Sequence, residues 1–253
     1  MSDPPKSATF LFYGELNDFL SRPQRGHAIQ CRFRGRQTVK HLIESLGVPH
    51  PEVGSLRVGD RVLTLDALVE NGDFVQVYPP SLPLPLPPSS TGGEEEPIRF
   101  VLDNHLGRLA SYLRLFGFDA LYRNDIQDNE LAKVSSEEGR VLLTRDHRLL
   151  MRSCVQTGYW LRSKLPRLQL LEVLQRWNLA PLARPFRRCL RCNGLLKEVP
   201  KEQILSKLQP LTRLYFDEFR LCSDCGQIYW RGSHYERMQV WMARVIQATT
   251  QST

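Results

Sequence analysis

A chain of 253 residues, 42% apolar and 24% charged, has room for one large domain or two to three small ones and is too apolar to be disordered throughout. It has no apolar run of the eighteen or so residues that a membrane span needs, and Met1-Ser2-Asp3-Pro4-Pro5-Lys6 lacks the basic-then-apolar order of a signal peptide. The expectation is a soluble cytoplasmic protein with no membrane partner. Its formal charge of +7 is uneven: residues 1–97 carry 9 Lys and Arg against 12 Asp and Glu, and residues 98–253 carry 25 against 15.

Residues 8–79 read as a small independent domain. A strand begins at Thr9-Phe10-Leu11-Phe12, 27–33 alternates like its hairpin partner, and 39–46 is a helix closed by Gly47. Short strands follow at 55–58 and 62–64 around a Gly59-Asp60 turn, then a last one at 74–78. Strand, strand, helix, strands is the order of a ubiquitin-like β-grasp. Residues 80–97 change composition to Pro, Ser and Leu and then Gly92-Gly93 and three glutamates, which reads as a semi-rigid linker ending in a flexible acidic hinge. A sulfur carrier would need that Gly-Gly pair at its carboxyl end, and 160 residues follow it. Recognition or regulation is the expected role of the first domain, with a protein as its candidate partner.

Residues 98–183 carry two apolar runs that each end in a carboxylate: Ile98-Arg99-Phe100-Val101-Leu102-Asp103 and Val141-Leu142-Leu143-Thr144-Arg145-Asp146. Between them, Leu106, Leu109, Ala110, Leu113 and Phe116 keep helical spacing, 118–122 reads as a strand, and an acidic turn with Asp125, Asp128 and Glu130 opens a second helix. Strands without polar alternation, separated by helices, predict a parallel α/β sheet buried on both faces, with ligands beyond the carboxyl ends of the strands. Asp103 and Asp146 are expected at that edge with Asp128 near it, while Asp119 starts a strand and belongs to the opposite edge.

Carboxylates gathered at one rim repel unless a cation neutralises them, and oxygen-only ligands suit Mg2+ or Mn2+. The surrounding basic charge, 12 basic against 2 acidic residues over 140–191, suits a polyanion. The pattern predicts a metal-dependent phosphodiester hydrolase. The plainer alternative is that these Asp residues only end strands and cap helices. A further strand is predicted over 154–161, and a helix whose apolar face includes Leu168, Leu171, Val173, Leu174 and Trp177.

Residues 184–248 hold Cys189-Leu190-Arg191-Cys192 and Cys222-Ser223-Asp224-Cys225, paired knuckles whose four thiolates close a tetrahedron around structural Zn2+ in a zinc ribbon. Four protein ligands leave no open position, so this zinc is not expected to be catalytic. The long spacing between the knuckles predicts a helical insert at 201–208. Cys31 and Cys154 are left over and read as small buried residues.

With these residues laid out, the chain resembles the Mut-seven carboxy-terminal ribonuclease family, a branch of the PIN-like nucleases, preceded by its ubiquitin-like companion. The resemblance rests on Phe100-Val101-Leu102-Asp103 with Leu106-Gly107-Arg108-Leu109-Ala110, on Asp128-Asn129-Glu130-Leu131, on Leu142-Leu143-Thr144-Arg145-Asp146, on Arg188-Cys189-Leu190-Arg191-Cys192-Asn193-Gly194 and on Tyr229-Trp230-Arg231-Gly232-Ser233-His234-Tyr235. It implies divalent-metal-dependent RNA cleavage through Asp103, Asp128 and Asp146. The further acid that PIN-like nucleases usually carry has no clear match, and Asp125 and Glu130 are the candidates. Arg145, Arg148 and Arg152 are candidates for holding phosphates, and Tyr229, Trp230 and His234 for contacting single-stranded RNA. The alternative is a non-catalytic RNA- or ribosome-binding module built from the basic α/β domain and the ribbon.

Overall fold

The computed structural model describes residues 4–87 and 98–250; the Gly92-Gly93 pair and the acidic hinge lie outside the described residues, as does the side chain of His234. In chain order the elements are β1 (Lys6–Phe12), β2 (Ile29–Phe33), α1 (Val39–Ser45), β3 (Ser55–Val58), β4 (Arg61–Leu63) and β5 (Phe74–Tyr78). Next come β6 (Arg99–Leu102), α2 (Gly107–Leu115), β7 (Asp119–Tyr122), α3 (Asp128–Glu138), β8 (Val141–Thr144), α4 (His147–Leu150), β9 (Gly158–Trp160) and α5 (Pro166–Arg176). The last stretch is β10 (Leu196–Val199), α6 (Lys201–Ile204), α7 (Pro210–Tyr215), β11 (Phe219–Cys222), β12 (Ile228–Trp230) and α8 (Ser233–Thr250). Among the described residues no helix is long and apolar enough to cross a membrane. The chain divides into two compact units, one of residues 1–84 with 127–161 and one of 85–126 with 162–253.

In the first unit the sheet order is β2-β1-β5-β3-β4, with β1 antiparallel to β2 and parallel to β5, the β-grasp arrangement expected from the element order. Alternation along β1 sends Ala8, Phe10 and Phe12 inward against Val39, Leu42 and Ile43 of α1 and Val75 and Val77 of β5. Thr38 starts α1 by accepting a hydrogen bond from His41 N–H at 3.2 Å. The same unit contains α3, β8, α4 and β9. β8 and β9 pair in parallel, Leu142 opposite Gly158, and all four β8 residues are buried, as a strand covered on both faces must be. α3 opens on Asp128 and Glu130, whose charges complement the helix N-terminus, and closes at Gly139 with φ +61°.

Two expectations need correction here. The strand predicted over 154–161 is confined to Gly158–Trp160, because Val155 N–H donates to Arg152 O at 3.0 Å and closes a turn after α4. That turn leaves Cys154 exposed rather than buried, while Cys31 is half-buried and its thiol is pushed up by burial.

In the second unit β6 and β7 pair in parallel, with Arg99 opposite Asp119 and Leu102 opposite Tyr122. Asp119 therefore stands at the amino edge of this strand pair, as predicted, and Asp103 follows β6 at the carboxyl edge. Phe100 is fully buried, its ring 6.4 Å from Phe118 and 6.0 Å from Trp177 of the α5 terminus. On α8, Trp241 lies 5.0 Å from Tyr112 and 5.9 Å from Phe116 of the α2 region. β10, β11 and β12 form a separate antiparallel sheet. The helical insert is longer than the predicted 201–208, since α7 follows α6 and exposes Leu211, Leu214 and Tyr215.

Gly117 stands where 183–185 crosses α2: it has φ +91°, and a Cβ there would lie 2.0 Å from Arg184 O. Gly117→Ala is expected to lower unfolding free energy by about 3 kcal/mol, read by denaturant titration, because strain and overlap with fixed backbone add.

Candidate active site and metal centre

Asp103 leaves the carboxyl end of β6 and occupies the cap position of a 3-10 turn (Asn104–Leu106), yet its side chain makes no capping bond. It is only 7% exposed. A buried carboxylate not spent on capping weakens the plain strand-terminator reading. The turn is locked by Tyr122, whose hydroxyl donates to Asn104 O at 2.8 Å and whose ring would lie 2.8 Å from any Cβ at Gly107. That close approach explains Gly at the first position of α2. Asn104 Oδ1 is buried with no hydrogen-bond partner among the described residues. A buried oxygen acceptor on the residue that follows a buried carboxylate is of the ligand type a hard divalent cation or its bound water takes. Sequence pattern singled out neither Asn104 nor Tyr122; the only hint was that Asn104 follows the first acid directly. Asp125 follows β7, parallel to β6, at the same carboxyl edge, exposed and 3.9 Å from Arg123.

Asp128 and Asp146 belong to the other unit. Asp146 follows β8 by one residue and caps α4, accepting from Arg148 N–H at 2.9 Å through Oδ1, so half of the capping alternative holds for it. Asp128 opens α3 and stands 4.0 Å from Arg152, which also hydrogen-bonds Asn129. Of the three candidate phosphate-binding arginines, Arg145 and Arg148 are exposed, while Arg152 is half-buried and turned to the start of α3. Glu130 is exposed in the first turn of α3.

Cys189, Cys192, Cys222 and Cys225 bring their sulfurs within 4.8 Å of one another, with 3.6 Å between Cys189 and Cys225 and 3.4 Å between Cys192 and Cys222. A tetrahedral site with bonds of about 2.3 Å requires spacings of this order, so the donor set fits zinc. Gly194 is needed there: a Cβ would meet Asp224 at 2.4 Å and the Cys222 sulfur at 2.9 Å. Burial pushes the Cys189 thiol up, but hydrogen bonds from the Tyr229 hydroxyl and from backbone at Cys192 and Arg191 outweigh it and bring it down to about 7. Burial and the neighbouring thiols push Cys192 up to about 12. Four sulfurs this close ionise together only with a cation between them.

Tyr229, a candidate for base stacking, has its hydroxyl 3.1 Å from the Cys189 sulfur and accepts from Leu190 N–H at 3.0 Å. Trp230 is 41% exposed. Both line a cleft of about 780 Å³ with Phe186, Tyr235, Arg220 and Arg231. The Phe186 and Tyr235 rings there are 4.1 Å apart.

The first knuckle is tied to the amino edge of β7. Buried Arg114 donates to Ala120 O at 2.9 Å and to the carbonyls of Leu190 and Arg191, each at 3.1 Å. Burial holds its guanidinium below the usual range. Asn193 accepts from Ala120 N–H and donates to Asp119 Oδ1, and Arg188 lies 3.3 Å from Asp119 Oδ2. Asp119 is thus a structural anchor for the ribbon. Asp119→Ala removes the carboxylate that buried Arg188 and Asn193 share and should cost about 3 kcal/mol in chemical denaturation, although Arg188 keeps its bond to Asn193 O at 2.8 Å.

Comparison with curated proteins and with solved structures found no match. Family models match at two places: Mut7-C RNAse domain over residues 98–242 and Mut7-C ubiquitin over residues 5–84. The first covers more than half of the chain, which therefore belongs to the Mut7-C RNAse domain family and carries a Mut7-C ubiquitin domain ahead of it.

Proposed function

We propose that the protein is a PIN-like ribonuclease that hydrolyses RNA phosphodiester bonds with Mg2+ or Mn2+, through Asp103, Asp128 and Asp146. The observation that carries this reading is the buried Asp103 at the carboxyl end of β6, unspent on capping and followed by an unpartnered Asn104 oxygen, within a segment that matches an RNAse domain. A hard divalent cation, when bound, supplies Lewis acidity toward a phosphoryl oxygen and makes water a better nucleophile at neutral pH. Asp103, Asp128, Asp146 and Asn104 Oδ1 would supply the oxygen ligands, with Asp125, which follows β7 as Asp103 follows β6, as the further acid. Arg145 and Arg148 hold phosphates of the strand. The zinc of the four cysteines is structural, and its ribbon presents Trp230 and the cleft beside it to unpaired bases. The ubiquitin-like domain offers the surface for a protein partner.

The test is cleavage of labelled RNA by the full chain with and without Mg2+ or Mn2+, alongside Asp103→Asn and Asp146→Asn. Cation-dependent cleavage lost in both variants supports the enzyme. Retained RNA binding without cleavage in the wild type supports the binding-module alternative, which the capping role of Asp146 favours.

A further inference from the structure

The peptide unit joining Arg145 to Asp146 is held at both ends. Its carbonyl accepts from Trp160 Nε1 at 3.0 Å, and its N–H donates to Thr144 Oγ1 at 2.9 Å. Thr144 is buried in β8, so its hydroxyl is fixed by the sheet; the other bond depends on how firmly the indole of Trp160 is held.

The ubiquitin-like domain holds it. On the β8 side of β9, Leu161 N–H donates to Thr144 O at 2.9 Å, so the preceding amide, Trp160 N–H, faces the opposite flank. There Glu52, fully buried in the turn between α1 and β3, accepts it at 2.7 Å. A carboxylate thus takes the place of a neighbouring strand at this amide. Phe19, also from the β-grasp, packs its ring 4.9 Å from the Trp160 ring and 6.1 Å from His147, the residue after Asp146. A second tie lies beside it: His50 Nε2 donates to Val155 O at 2.7 Å, while Nδ1 lies 2.6 Å from Glu44 of α1. A carbonyl only accepts, so the Nε2 proton is fixed in this bond.

We propose that the ubiquitin-like domain acts in cis as a clamp on the Asp146 loop, with Trp160 as the positioning residue and Glu52 and Phe19 as the groups that hold Trp160. The geometry of the loop stands independently of the reaction; its consequence for catalysis rests on the reading of Asp146 as a cation ligand. Groups that orient a ligand without touching the metal typically change metal affinity by 10- to 100-fold when removed.

Hydrogen exchange on the full chain tests the clamp without any assay of cleavage. Trp160→Phe keeps an aromatic ring, though a smaller one, and removes the Nε1 donor. It is expected to speed exchange at the Asp146 amide about tenfold, the effect of losing one hydrogen bond, with the β1 and β5 amides unchanged. Phe19→Ala should act in the same direction from the β-grasp side. Glu52→Ala should also release the Trp160 amide, and Glu52→Gln, which still offers an oxygen acceptor there, should restore most of its protection. Unchanged exchange at Asp146 in Trp160→Phe and Phe19→Ala overturns the clamp, as does an increase spread equally through β1 and β5. In the cleavage assay, Trp160→Phe should raise the Mn2+ needed for half-maximal activity by about tenfold. Absence of cleavage in the wild type defeats the ribonuclease reading and leaves the exchange result standing on its own.

Discussion

Asp103→Asn and Asp146→Asn are each expected to reduce cation-dependent RNA cleavage on the order of a thousandfold, with RNA binding retained, because under the proposed ribonuclease reading each removes one anionic ligand and forfeits several kcal/mol of transition-state stabilisation. The two substitutions ask different questions. Asn caps a helix about as well as Asp, so Asp146→Asn leaves the bond from Arg148 N–H in place and removes only the charge. If Asp146 serves α4 alone, that variant keeps full activity, and the assignment of Asp146 fails. At Asp103 there is no capping bond to preserve, and Asn is isosteric, so lost cleavage with an unchanged thermal transition isolates the chemical role of the carboxylate. Parallel assays of Asp125→Asn and Glu130→Gln should show the larger loss at Asp125, which shares the carboxyl edge of β6 and β7 with Asp103.

Stripping the cysteine centre with a chelator is expected to unfold the ribbon while the β-grasp remains intact. The ribbon sheet has a small core of its own, Ile204, Leu208 and Phe219 with partly buried Val199, Phe216 and Ile228. Against that, zinc binding contributes roughly 10–16 kcal/mol in peptides of this type, so little folding free energy remains once the metal is gone. Limited proteolysis should then cut between the knuckles, and residues 8–79 should resist. Metal analysis of the untreated protein should return one zinc per chain. An unchanged digestion pattern after complete zinc removal would show that the sheet stands without the metal. The effect should also reach β7, since the Leu190 and Arg191 carbonyls are the acceptors for Arg114, and Asn193 is the partner of Ala120 and Asp119. Loss of protection at the Ala120 amide on chelation reports that coupling.

The two kinds of candidate group differ in what holds them. The cysteines are brought together by two short knuckles that set their sulfurs within 4.8 Å of one another. The acids are placed by backbone: Asp103 by β6 and the ring of Tyr122 over Gly107, Asp146 by β8 and Trp160.

By itself the sequence determined the elements and the kinds of chemistry. The alternation in β1, the helical spacing of Leu106, Leu109, Leu113 and Phe116, the unbroken apolar run of β8 and the Cys-x-x-Cys pairs are all written within a few residues, because side-chain direction repeats every 2 residues in a strand and about every 3.6 in a helix. The placement of Asp119 at the amino edge followed from the same local reading. Only the tertiary structure decided which groups have partners. Nothing near Glu52 announces that it will accept a hydrogen bond from a residue 108 positions away, and nothing near Asn104 announces an oxygen left without a donor among the described residues. Cys154 likewise looked apolar and buried in sequence, and a single backbone turn at Val155 put it in solvent. Periodicity reports which way a side chain points; what it meets there is set by segments brought close only when the chain has folded.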